Sequence, residues 1–210
     1  MEYKGTELEY KGIRIEKSDS VYEPNEDSFL LAEAARRFAF GEVLDLGCGT
    51  GIAGISAAKN PKTRKILFAD VSEKALSLAA HNVHQNRVDK PIAFIKTDLF
   101  TRVQWKYDTL CFNPPYLPTV QEEKLKGKLN KAFDGGKDGR KVVDRFLETF
   151  AHHLKPRGIL LLLNSSLSSK DGLSGNRITQ EKLEKQGFSV KMVFSERFFF
   201  EKLVVFKAHL

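Results

Sequence analysis

The segment Val43-Leu-Asp-Leu-Gly-Cys-Gly-Thr-Gly51 constrains the fold more than any other part of the chain. A short apolar run enters three glycines spaced by two, and a helical stretch follows at 52–59. Glycine supplies φ angles that other residues avoid and lets a ligand approach the backbone. A strand, a glycine turn and a helix in that order read as the first βα unit of an α/β sheet. The rest of the chain repeats the alternation. Strands are expected at 42–46, 65–69, 92–96, 109–112 and 158–163. Helices fall between and around them. Pro24-Asn25 opens an amphipathic helix with Phe29, Leu30, Ala34, Ala35 and Phe38 at helical spacing; Ser72 caps another over 73–86 with Leu76, Ala79, Ala80 and Val83 inward; further helices cover 141–154 and 179–186. Two last strands, near 188–194 and 202–207, flank a tip at 195–201. The expected fold class is α/β: a doubly wound, mostly parallel seven-stranded sheet, closed by a C-terminal antiparallel hairpin.

Length and composition narrow the setting. A chain of 210 residues suits one domain over 1–210. Hydrophobic residues make up 41%, yet no apolar run approaches the ~20 residues that cross a bilayer. The start, MEYKGTELEYKG, carries acids and glycines where a signal peptide needs an apolar stretch. A soluble cytoplasmic protein with no membrane contact is expected. Tyr3-Lys-Gly and Tyr10-Lys-Gly suggest an N-terminal hairpin or lid over 1–20. Two stretches, 117–140 with four lysines between 124 and 131, and the Ser/Gly-rich 164–176, read as substrate-facing loops. The two cysteines show no metal-ligand spacing, and His81 with His84, like His152-His153, read as surface residues, so no metal site is expected. A net charge of +7 allows an anionic partner such as RNA, DNA or a ribosome-associated protein.

Two motifs carry chemistry. Gly49-Thr-Gly-Ile-Ala-Gly54 satisfies the dinucleotide fingerprint, with Asp70 following, but Asp45 sits on the strand just before the turn, where it would repel a pyrophosphate. A ligand with a cationic amino-acid end and a ribose suits Asp45 and Asp70 better, which points to S-adenosyl-L-methionine. The second motif is Cys111-Phe-Asn-Pro-Pro-Tyr116. Proline lacks the N–H a ladder needs, so the strand stops at Asn113. The plain reading is a strand terminator; the functional one is a stiff frame presenting one amide and nearby carbonyls.

These residues resemble a class I S-adenosylmethionine-dependent methyltransferase of the Rossmann-like type, with Asp45 to Gly51, Ala69-Asp70, Thr97-Asp98-Leu99 and Asn113-Pro-Pro-Tyr116 in the family's order. Val21-Tyr-Glu-Pro-Asn-Glu-Asp-Ser28 and the run from Ala132 to Phe146 are similar to segments of HemK-type glutamine methyltransferases, in the archaeal and eukaryotic branch that modifies class 1 translation termination factors. The resemblance implies that Tyr22, Pro24, Ser28, Asp45, Gly47, Gly49, Asp70, Asp98, Leu99 and Asn113 bind the cofactor. Asp70 would take the ribose hydroxyls, Asp98 and Leu99 the adenine, and Gly47 and Gly49 the methionine portion. It further implies that Asn113, Pro114, Pro115, Tyr116 and Leu117 hold the substrate and that the first four are catalytic. The Asn113 oxygen and the Pro114 carbonyl would accept the two N–H groups of a planar –NH₂, with Tyr116 packing on it, so that positioning and electrostatics carry the reaction. A small zinc-binding activator subunit on the sheet edge at 91–96 is implied as well.

Other readings remain open on the residues alone. The same clamp suits an exocyclic amine of adenine or guanine in a flipped RNA or DNA base. A lysine ammonium, not being planar, suits it less. A non-enzymatic cofactor-binding adaptor would not need Asp45, Asp70, Asp98 and Asn113 all intact. Arg197-Phe-Phe-Phe200 reads as a hairpin tip with exposed aromatics.

Overall fold

The computed structural model describes residues 7–118, 135–169 and 174–210. The described residues begin with a hairpin of β1 (Glu7–Tyr10) and β2 (Ile13–Glu16). There follow α1 (Glu26–Phe38), β3 (Gly41–Leu46), α2 (Ile52–Ala58), β4 (Thr63–Asp70), α3 (Glu73–Gln85), β5 (Ile92–Lys96) and β6 (Tyr107–Phe112). Then come α4 (Lys141–Thr149), a 3₁₀ turn (Phe150–His153), β7 (Leu154–Ser165), α5 (Gly175–Lys185), β8 (Ser189–Arg197) and β9 (Lys202–His209). Among the described residues, seven strands form one sheet in the order β5-β4-β3-β6-β7-β9-β8. β5 to β7 are parallel neighbours, while β9 runs antiparallel to both β7 and β8. This is the doubly wound, mostly parallel sheet with a C-terminal antiparallel hairpin, and 92–96 lies at its edge.

Alternate side chains along the strands fill two cores. Val43, Phe68, Cys111 and Leu161 pack under α1, α2 and α3 with Leu31, Ile55 and Ala79. Leu44, Leu67, Leu110 and Leu160 face the opposite way, toward α4 and α5. There Phe112, Phe146, Phe150 and Phe188 form a continuous aromatic column, with centroids 4.6, 5.2 and 5.0 Å apart.

Three boundaries differ from the sequence reading. The helix expected over 141–154 stops at Thr149, because Leu154 pairs with Tyr107 and is already strand. The helix expected from 179 starts at Gly175, whose N–H donates to Ser166 O and whose carbonyl accepts from Arg140, so that end is held from two sides. The tip expected over 195–201 is shorter, since cross-strand pairing continues to Arg197↔Lys202. The expected residues of the 117–140 loop lie largely outside the described residues.

The hairpin at 7–16 is fastened to the body in a way the sequence pattern hid. Asn82 on α3 and Asn86 at its C-cap, one turn apart, act as a surrogate strand for β2. Asn86 accepts from Arg14 N–H at 2.9 Å and donates to its carbonyl at 2.6 Å; Asn82 does the same for Glu16 at 2.8 and 3.2 Å. Ile13 and Ile15 are thereby carried into the first core. Asn82 also reaches Thr50 O at 2.9 Å, tying the hairpin to the glycine turn.

Candidate active site

Ligands of open α/β sheets bind outside the carboxyl ends of the strands, and here those ends gather the residues singled out above. After β3 the backbone turns through Gly47, Gly49 and Gly51, all at positive φ (62°, 54° and 83°). A side chain at Gly47 would lie 3.3 Å from the Phe112 ring and 4.0 Å from the Asn113 carbonyl, so the turn and the end of β6 are in near contact. The two motifs therefore line one site.

Two carboxylates hold the turn. Asp45 is buried and accepts from the Gly54 N–H at 2.8 Å, fixing the first turn of α2. Burial, offset in part by that bond, pushes its carboxyl up to about 8. Asp70 accepts from Gly49 N–H at 3.0 Å and Ser72 N–H at 2.8 Å, and burial raises its pKa as well. Each oxygen keeps a free lone pair for a hydroxyl donor. At the end of β5, Leu99 holds φ +48°, a conformation costly for a branched side chain, with Thr97 Oγ1 donating to its carbonyl at 3.1 Å. Asp98 beside it is exposed and pairs with Arg145 at 3.0 Å.

Beyond β6 lies a second cluster, whose centre sequence reasoning missed. Asp27, on the first turn of α1, is buried, and its carboxylate accepts from Asn113 Nδ2 at 2.9 Å, Tyr116 Oη at 3.3 Å, Tyr22 Oη at 3.1 Å and Ser28 N–H at 2.6 Å. The Ser28 hydroxyl also points to it, at 3.1 Å. Burial first, then the charge of Asp27, raises both tyrosine pKa values, so each phenol stays a donor. A carboxylate only accepts hydrogen bonds. The Asn113 edge facing it must be the –NH₂, and the other edge, Oδ1, is a buried acceptor with no partner among the described residues. An unsatisfied buried acceptor costs about 1–3 kcal/mol. In the sequence Asp27 appears only within the Val21–Ser28 segment, with no role of its own; its spacing from Tyr22 and Ser28 is the available signal.

The backbone of the clamp is seated on a glycine shelf. A side chain at Gly139 would stand 2.1 Å from Tyr116 O, and one at Gly135 2.6 Å from Leu117 O and 3.1 Å from Pro115 O. Arg140, 1% exposed, locks this shelf by donating to Asp144, Ser168 O and Thr179 Oγ1 at 2.6 to 3.2 Å. Pro24 and Pro114 are buried beside Tyr22 and Asn113. The histidines serve elsewhere: His81 pairs with Glu16 at 2.7 Å, while His153, expected at the surface, stacks on Phe100 at 4.2 Å. Among the described residues no three His, Cys, Asp or Glu side chains converge on a metal position, and no helix is long and apolar enough to cross a membrane.

Sheet order, glycine turn, strand-end acid and Asn-Pro-Pro-Tyr together define a class I methyltransferase fold and site. Residues 20–191 match the family model of the methyltransferase small domain. A provisionally named protein N5-glutamine methyltransferase of Methanocaldococcus jannaschii is 40% identical over 201 residues, 96% of this chain and 98% of that one. The mouse Methyltransferase HEMK2 is 34% identical over 151 residues, 68% of this chain and 71% of its own length. Among solved structures, Mtq2 in the E. cuniculi Mtq2–Trm112 complex, described as responsible for methylating the translation termination factor eRF1, superposes with a TM-score of 0.67 at 23% identity, covering 90% of this chain and 98% of that one. The chain belongs to the methyltransferase small-domain family, among the HemK-type protein N5-glutamine methyltransferases.

The residues fit S-adenosyl-L-methionine. The glycine turn leaves the backbone open, Asp45 and Asp70 offer acceptors for an ammonium and a ribose, and the main-chain carbonyl of Asn113 adjoins the turn.

Proposed function

We propose that this protein methylates the side-chain amide nitrogen of the glutamine in the Gly-Gly-Gln loop of a class 1 translation termination factor, in the cytoplasm. The observation that carries the reading is the Asn113 amide, held by its –NH₂ on Asp27 with its oxygen left over. An amide nitrogen is a poor nucleophile because its lone pair is delocalised, so the enzyme's task is orientation more than proton removal. Asn113 Oδ1 accepts one N–H of the target and the Pro114 carbonyl the other, fixing the plane of the group. Two acceptors on those hydrogens also stabilise the positive charge that develops on nitrogen during transfer. Asp27 keeps Asn113 from rotating, and Tyr116, donating to the same carboxylate, presents its ring to the target. S-adenosyl-L-methionine, when bound, supplies an electrophilic sulfonium methyl. Tyr22 and Pro24 from the segment before α1, with Ser28 from its first turn, would close around it, with the turn at Gly47 and Gly49 under the methionine portion, Asp45 near its ammonium, Asp70 on the ribose, and Asp98 and Leu99 on the adenine.

The charge of the mouth favours a protein amide over a nucleic-acid amine. Glu26, Asp27 and Glu201 act on the tyrosines of the clamp, so a phosphate backbone would meet like charge among the described residues. A small zinc-binding activator subunit fits the edge at β5, where Phe94 is 38% exposed and one side of the strand is unpaired within the sheet. The test is a competition: chain with and without such a subunit, labelled S-adenosyl-L-methionine, and termination factor mixed with total RNA. Label in the protein is expected, and lost when the glutamine is replaced by glutamate; label in RNA alone would overturn the substrate.

A further inference from the structure

The N-terminal ends of β3, β4 and β6, with the C-terminal end of β9, surround a cleft of about 720 Å³ at the end of the sheet away from the clamp. Arg37, Lys62, Arg64 and Lys207 line it, and the one acid among its lining residues, Asp108, already accepts from Glu42 N–H at 2.7 Å, Lys155 at 3.0 Å and Arg64 at 3.5 Å. Arg37, Lys62 and Lys207 have no carboxylate within 4.0 Å among the described residues. Arg37 and Lys207 even share one ring, standing 5.3 and 5.0 Å from the centroid of Phe38. Two like charges held on one ring repel, and an anion between them relieves the repulsion. Helix dipoles account for part of this charge, since Arg37 ends α1. They do not account for Lys62 in a turn, Arg64 on β4 or Lys207 on β9.

The only tryptophan of the chain lies outside that lining. Trp105 is 66% exposed, three residues before Asp108 and hence within about 11 Å of it along the chain. The ring nitrogen of His153 lies 3.3 Å from its carbonyl, so the backbone is held while the indole stays outside. Lys106 follows it, also without an ion-pair partner among the described residues. Cations that track a backbone beside an exposed aromatic ring are the two components of single-strand nucleic-acid binding.

We propose that this end of the sheet docks single-stranded RNA, with phosphates in the Arg37–Lys62–Arg64–Lys207 cleft and a base on Trp105. The choice of RNA over DNA rests on the reading above, because a termination factor works where exposed RNA backbone is abundant; the cleft itself stands apart from that reading. RNA would tether the enzyme by its basic end and leave the acidic mouth free for protein. The full chain is titrated with a 12-nucleotide oligouridylate while Trp105 fluorescence is followed. Quenching is expected, with affinity falling about 50-fold between 50 and 200 mM salt for four phosphate contacts. The Lys62→Glu/Lys207→Glu double variant, at one exposed and one half-buried lysine and with its fold checked by melting temperature, is expected to bind at least about tenfold more weakly yet methylate isolated termination factor at the unchanged rate. Absent quenching, undiminished binding by the double variant, tighter binding of the matching DNA, or preference for phosphatidylserine vesicles would each overturn the proposal. Loss of methylation with RNA binding intact would instead strike the proposed function alone.

Discussion

The two ends of the sheet are built from opposite materials. Where the parallel strands finish, the side chains are acidic and interlocked: buried Asp27 and Asp45 and half-buried Asp70 each accept backbone or side-chain donors, and Leu99 is held at positive φ. Where the strands start, the side chains are basic and exposed, and several have no carboxylate partner among the described residues. The same helices that bring N–H groups to one end bring carbonyls to the other, so the backbone favours this segregation of charge. The difference teaches that the net charge of +7 says little about the catalytic mouth. A composition-level argument for a nucleic-acid substrate would have placed the positive charge at the wrong end.

The comparison can be broken in several places. The largest effect is expected at Asp27→Ala, which leaves Asn113 free to rotate and strips an acceptor from five donors; turnover should fall about 10²–10³-fold, with a retained circular-dichroism spectrum checking the fold. If turnover survives, the acidic end is not organised around this carboxylate. Next comes Gly139→Ala, where a methyl meets Tyr116 O and φ is +72°. Thermal unfolding should show a loss of about 2–3 kcal/mol, and turnover should drop with it.

Asp45 gives a smaller but sharper signal. With its pKa at about 8 in the folded chain against 3.8 unfolded, the cofactor-free protein holds a proton between those values that the unfolded chain has released. Its contribution to stability therefore falls as pH rises from about 4 to 8. A bound ammonium favours the ionised carboxylate, so S-adenosyl-L-methionine binding at pH 7 should release close to one proton, read from calorimetry in two buffers of different ionisation enthalpy. Binding without proton release would place the ammonium elsewhere. Asn86→Ala should cost about 1–2 kcal/mol by removing the bonds to Arg14, without altering turnover; and Lys65→Ala, on the exposed basic side, should stay within about 0.5 kcal/mol of the parent.

Much of the sheet was legible because its signals are local. Val43 to Gly51 sets a strand, a turn and a helix within a dozen residues, and the proline pair fixes where β6 stops. Asp45, Asp70 and Asn113 stood out because each directly follows or ends an apolar run. What stayed hidden depends on contacts distant in sequence. Asp27 meets Asn113 across 86 positions, Asn86 meets Arg14 across 72, and Arg140 meets Thr179 across 39. Asp27 and Arg140 lie in segments that resemble the family, yet nothing local names their partners, and Asn86 reads as an ordinary helix-end residue. The boundary at Leu154 moved for the same reason, since pairing with Tyr107 overrides a helical pattern.

The most direct test of the account is the Asn113→Ala variant assayed for methyl transfer to termination factor alongside its affinity for S-adenosyl-L-methionine. The account predicts turnover reduced at least about 10²-fold with cofactor affinity within a few-fold of the parent, because the substituted oxygen holds the target amide. Turnover close to the parent's would contradict it, and would mean that the buried, unpartnered oxygen is not what orients the substrate.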